Sequence, residues 1–142
     1  MGRRRKSRET AMQCLYKSAI REDMAGLPST EFWQEAGVTP EVQDFAQQII
    51  SEALSHRETI DELIQKYTLH WKIDRIAAVD LAILRMAISE MLFIPSTPSV
   101  VVIDEAVEIA KKYSTTESGA FVNGILDKIK QEIVDVRGSQ KT

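Results

Sequence analysis

Fifteen residues in the middle of the chain constrain its architecture most. From Val79 to Phe93 only Asp80, Arg85, Ser89 and Glu90 are polar, so a helix here is apolar around most of its circumference. Such a helix is packed on several sides rather than one, which places it at the centre of a bundle. Asp74 is positioned to cap its start, and Pro95 and Pro98 stop it. Arg85, inside this apolar surface, requires a carboxylate partner that the sequence does not single out.

The flanking segments are amphipathic with helical spacing. Met12, Leu15, Tyr16, Ala19 and Ile20 form one face, and Gly26, Pro28, Ser29 and Thr30 end it. A short segment around Phe32 and Trp33 stops at Gly37, and Thr39-Pro40 reads as an N-cap followed by proline at the first helical position. Val42, Phe45, Ala46, Ile49, Ile50 and Ala53 form the next stripe, then Ile60, Leu63, Ile64, Tyr67 and Trp71. The β-branched run Val100 to Ile103 follows Thr97-Pro98, a second cap-plus-proline start, and is read as helix. Ile103, Ala106, Val107, Ala110 and Tyr113 continue it. Ser114-Thr115-Thr116-Glu117 has the form of a capping box ahead of Val122, Ile125, Leu126, Ile129 and Ile133. Gly124 leaves room for this last helix to approach another, Asn123 needs hydrogen-bond partners if buried, and the polar tail 137–142 is expected to fray. The fold class is all-α, with about seven helices in one domain or two closely packed subdomains.

Several functions lose support at this point. The apolar runs are short and interrupted by charge, so no membrane span is expected, and the basic N-terminus leads into Glu9, Gln13 and Lys17 rather than a secretory apolar core. Cys14 is the single cysteine, which excludes an intrachain disulfide and leaves it a buried small hydrophobe; a cytoplasmic location follows. Glu52 and His56 lie four apart, but the paired Glu-x-x-His motifs of a di-iron bundle are absent, so no metal or other cofactor is expected. With no glycine-rich nucleotide cradle either, the chain does not read as an enzyme.

The N-terminus is more informative. Arg3, Arg4, Arg5, Lys6 and Arg8 put five positive charges ahead of the first acid, Glu9. The whole chain holds 18 basic and 21 acidic residues, so without this head the remainder carries 13 against 21, a charge of −8. A run of this kind is also what a disordered solubilising leader looks like. Here, however, it leads straight into the periodic residues from Ala11 onward, and guanidinium groups mounted on a helix suit phosphate oxygens. Tyr16, about two turns along, and Tyr67 and Phe121 elsewhere offer faces for unstacked bases, although each also fits a core position. The acidic body repels nucleic acid elsewhere and confines contact to the basic edge. Five phosphate contacts on a single strand imply a slope of log affinity against log salt of roughly −3.5.

Val79-Asp-Leu-Ala-Ile-Leu-Arg-Met-Ala, Ile103-Asp-Glu-Ala-Val-Glu-Ile-Ala-Lys-Lys-Tyr113 and Phe121-Val-Asn-Gly-Ile-Leu-Asp-Lys-Ile129 resemble the signature blocks of the NusB family. Arg5-Lys-Ser-Arg-Glu-Thr-Ala-Met-Gln-Cys-Leu-Tyr16 resembles that family's opening helix, and Trp71 its approach to the central one. The blocks run in the family's order over nearly the whole chain; residues 21 to 55 match in helical character only. Ser7, Ser89 and Ser114 depart from the residues common in the family.

The resemblance implies a single domain, 1–142, of two packed helical subbundles, approximately 1–56 and 57–142. It implies transcription antitermination on ribosomal RNA operons, with single-stranded boxA-type nascent RNA bound jointly with the ribosomal protein NusE. The complex then joins other Nus factors on RNA polymerase. Arg3, Arg4, Arg5, Lys6 and Arg8 become the RNA-binding head, with Tyr16, Glu117 and Phe121 near the RNA; Glu117, an acid, would tune binding downward. Asp80 and, more weakly, Tyr67 fall on the partner-facing surface. The resemblance also leaves a homodimer open, one whose contact would cover the RNA edge until the partner arrives. Two rivals remain open: the RNA-binding N-terminal part of an RNA cytosine methyltransferase, whose catalytic domain this sequence does not contain, and a helix-turn-helix DNA-binding protein, which would prefer duplex.

Overall fold

The computed structural model describes the backbone of residues 2–21, 28–68 and 72–140, with side chains described except at 20, 21 and 134–140. Gly26, His70, Trp71 and the last two tail residues lie outside these. The described chain forms α1 (Gly2–Arg21), α2 (Thr30–Ala36), α3 (Pro40–Ser55), α4 (Arg57–Lys66), a 3₁₀ turn at Ile73–Arg75, α5 (Ala78–Phe93), α6 (Ser99–Tyr113) and α7 (Thr116–Gln140). There is no strand among the described residues. Helix α7 runs through most of the stretch expected to fray.

The apolar segment is the axis of the fold. Every residue of α5 from Asp80 to Met91 is buried, and α1, α3, α4, α6 and α7 all pack against it. Its four polar side chains explain how a buried helix tolerates them, because each is met by a different neighbour. Asp80 Oδ2 accepts from Ser118 of α7 at 3.2 Å. Arg85 donates twice to Asp61 of α4, both at 2.9 Å, which identifies the carboxylate it requires. Ser89 donates to the Met86 carbonyl at 2.9 Å and to that of Ile49 on α3 at 3.4 Å. Glu90 accepts two bonds from Arg8 of α1, both 2.7 Å. These pairs set the azimuth of α5, which its nearly uniform apolar surface leaves undetermined.

Some helix starts fall where the sequence puts them and others shift. Thr39 caps α3, accepting from the Val42 amide at 3.4 Å, and Gly37 ends α2 at φ 60, a conformation glycine adopts without Cβ strain. Three expectations are corrected. Asp74 belongs to the 3₁₀ turn, and α5 starts after Ala77 with no side-chain cap. Helix α6 begins one residue late, with Pro98 rather than Thr97 at the cap. The α7 cap is Thr115, not Ser114: its Oγ1 accepts from the Ser118 amide at 3.0 Å, and Glu117 falls one place short of the capping-box position.

Candidate nucleic-acid interface

The basic head is the first two turns of α1 rather than a leader ahead of it. No acid lies in the first turn, so Arg3, Arg4, Arg5 and Lys6 add their charge to the positive end of the helix dipole. That arrangement costs the isolated helix stability, and packing supplies what holds it. Ser7, buried, donates to the Val42 carbonyl on α3 at 2.9 Å and to the Arg3 carbonyl at 3.0 Å.

The five charges are not equivalent. Arg3 is exposed and paired with Glu41 of α3, itself exposed. Arg4 is exposed and lies over Phe45, its guanidinium carbon 3.9 Å from the ring centroid. Arg5 donates to Glu105 of α6 at 2.6 Å, and that bond raises its pKa above the ordinary guanidinium value. Lys6 is exposed and meets no carboxylate among the described residues. Arg8 departs from expectation. Its side chain is 3% exposed and its fork closes on Glu90, so this guanidinium does not face solvent with the others. The expectation of five presented charges is corrected to four, because helical rotation turns residue 8 toward the α5 carboxylate.

Beyond the head, α1 and α6 continue to interlock. Glu9 is buried and accepts from Lys112 at 2.9 and 3.2 Å and from the Tyr113 hydroxyl at 3.2 Å. Burial raises the Tyr113 pKa, helped by the Glu9 charge. Tyr113 is nevertheless the one exposed large aromatic among the described residues. Tyr16 and Phe121 are half-buried against the core, and Glu117 stands exposed on the first turn of α7. Glu41, Phe45, Glu105, Lys112 and Tyr113 were not legible as parts of this edge. Pairs such as Arg5 with Glu105 are a hundred residues apart and carry no local pattern.

The two residues expected on the partner face sit apart from the head. Asp80 is 7% exposed, and burial raises its pKa against the Ser118 hydrogen bond that lowers it. Its Oδ1 is the one buried side-chain polar atom without a hydrogen bond among the described residues. Tyr67 is half-buried and donates to Glu132 of α7 at 3.1 Å, which Lys66 also contacts. Asn123 and Gly124 are both exposed, and a Cβ at Gly124 would meet nothing within 4 Å. The expected close approach occurs instead at Gly119, where a Cβ would lie 3.1 Å from Lys111 Cγ.

Other candidates for chemistry resolve into packing. Cys14 is buried, and desolvation pushes its thiol up to about 11. His56 stacks on Phe93 at 3.8 Å between centroids, with its Nδ1 3.3 Å from Glu52. No group of three or more potential metal ligands occurs among the described residues. No helix among them is long and apolar enough to cross a membrane.

Known proteins resemble this chain in sequence and fold. The family model described as the NusB family matches residues 5–131. The transcription antitermination protein NusB of Koribacter versatilis is 42% identical, over 93% of this chain and 91% of its own. That of Thermodesulfovibrio yellowstonii is 41% identical, over 98% and 99%. A solved assembly of antitermination factors NusB and NusE in complex with double-stranded RNA superposes with a TM-score of 0.84 at 31% identity, covering 93% of this chain and 98% of that one. NusB of T. maritima superposes with a TM-score of 0.81 at 36% identity, covering 91% of each.

Proposed function

From the premise that the chain belongs to the NusB family, we propose that it is a non-enzymatic transcription antitermination factor that captures boxA-type RNA together with ribosomal protein NusE. The observation that carries this reading is the first two turns of α1. Four cationic side chains project there from a helix locked by Ser7 and Arg8, on a body that is otherwise acidic. Arg3, Arg4, Arg5 and Lys6 are the phosphate contacts in this proposal, and Arg8 is a positioning residue acting through Glu90. Tyr16, Phe121 and Glu117 lie along the RNA path, with Glu117 weakening capture by repulsion.

Asp80 and Tyr67 are assigned to the NusE face. An unsatisfied carboxylate oxygen is a costly feature to retain, and a donor supplied by a partner as the Ser118 contact rearranges would recover that cost. The same reading divides the chain into subbundles of approximately 1–56 and 57–142, with head and partner face in different ones. The protein then acts in the cytoplasm, where the assembly joins other Nus factors on RNA polymerase and supports transcription of ribosomal RNA operons.

The test compares boxA-like, scrambled and duplex RNA, each with and without NusE. Tighter binding of the single-stranded boxA-like RNA, strengthened further by NusE, is the expected result. Equal affinity for boxA-like and scrambled RNA in the presence of NusE would refute the assignment, and preference for duplex would redirect it. Asp80→Ala is expected to weaken NusE binding by at least tenfold.

A further inference from the structure

A groove of about 490 Å³ lies between α1 and α3, lined by Arg3, Arg4, Ser7, Glu41, Asp44, Phe45 and Gln48. Its chemistry differs from that of a phosphate site. One wall is the row Glu41, Asp44, Gln48, spaced so that the three side chains share a face of α3. Arg3 pairs with Glu41, but Asp44 is exposed and meets no cation among the described residues. A phosphate entering here would meet an uncompensated carboxylate. The other wall is Arg4, whose guanidinium carbon sits 3.9 Å from the centroid of the buried Phe45 ring and whose side chain is exposed to solvent. Guanidinium planes serve as stacking platforms for unpaired bases, and the cation–π contact with Phe45 holds this guanidinium over the ring before any base arrives.

We propose that this groove is a guanine subsite: an unpaired guanine stacks on Arg4 and presents its Watson–Crick edge to Asp44. The inference rests on the RNA-binding reading, adds a base preference to it and moves Arg4 from the phosphate contacts to a base platform. An ionised carboxylate only accepts hydrogen bonds, through two oxygens. Guanine alone among the four bases places two donors side by side on that edge, N1–H and the 2-amino group. Uracil flanks its single donor with two carbonyl oxygens, cytosine sets two acceptors beside its amine, and adenine sets a ring nitrogen beside its own. Each of those edges would turn at least one acceptor toward the carboxylate. Gln48, at the end of the row, can donate to the guanine O6 that the carboxylate leaves unmatched.

The test uses nine-nucleotide oligouridines carrying one guanosine at each position in turn, and the same set with inosine, which lacks the 2-amino group. The wild-type protein, with NusE present, is expected to favour guanosine over uridine at one position by about 5- to 100-fold, and over inosine by about tenfold. Asp44→Asn is expected to bring the guanosine and inosine affinities together. Arg4→Lys, which keeps the charge but removes the plane, is expected to weaken the guanosine oligomer more than oligouridine itself. Circular dichroism verifies that both variants are folded. Salt-dependent binding with no guanosine preference at any position overturns the guanine subsite and leaves the RNA-binding reading standing. So does an Asp44→Asn variant that binds every oligomer more tightly by the same factor, since Asp44 then only repels phosphate. Absence of salt-dependent binding to any single strand overturns both.

Discussion

Individual residues on the cationic edge differ in what their charges do. Arg8 and Glu90 form a buried, bidentate pair, and removing one partner of such a pair leaves the other charge unpaired in a dry environment. Glu90→Gln is therefore expected to lower stability by about 3–5 kcal/mol in urea unfolding. Glu41→Gln, which frees the exposed Arg3, is expected to change it by less than about 1 kcal/mol. Glu105 competes with phosphate for Arg5, so Glu105→Gln is expected to tighten RNA binding about two- to fivefold at low salt. Cys14 gives a pH signature. Its folded pKa is raised, so the stability its neutral thiol contributes is full below the unfolded value of 9.0 and is lost as pH rises through about 11. The wild type is expected to lose about 2–3 kcal/mol more than Cys14→Ala across that interval in denaturant titrations at stepped pH. Asp80 has the same sign at acidic pH: as pH rises past 3.8 and through its raised folded value, the wild type loses stability that Asp80→Asn retains.

At the scale of elements, period and punctuation made the helices legible, and contacts at a distance accounted for what was missed. The stripes of α3, α4, α6 and α7 face inward as their spacing requires, except at the exposed Tyr113 that closes the α6 stripe, and α5 is the central helix that its composition demands. Boundaries were less legible where two hydroxyl residues compete to cap. Ser114 and Thr115 both satisfy the local rule, and the position of Ser118 against Asp80 favours Thr115. Gly124 misleads for a related reason, since a glycine within a helix signals close packing only if a neighbour is there. None is, so Gly124→Ala is expected to stabilise by about 0.5–1 kcal/mol through helix propensity alone, measured by thermal unfolding. Gly119 has a real neighbour in Lys111, and a larger residue there has to displace the Lys111 stem. The candidate site was half legible. The charge run named its cations, but the acids that pair with three of them come from α3, α5 and α6, too distant in sequence for any local pattern.

For the whole molecule, the governing feature is charge asymmetry on a rigid frame. The body outside residues 1–8 carries −8, so non-specific attraction to RNA is weak everywhere except at one end of α1. That end is fixed by buried contacts to α3 and α5 and a half-buried one to α6, so the charges dock with little ordering cost. The salt dependence of RNA binding tests this most directly. The wild-type protein is expected to show a slope of about −2.1, with Arg3, Arg5 and Lys6 on phosphates of a single strand, and a folded variant with Arg3, Arg4 and Lys6 changed to glutamine a slope near −0.7. An unchanged affinity and slope in that folded variant would contradict it.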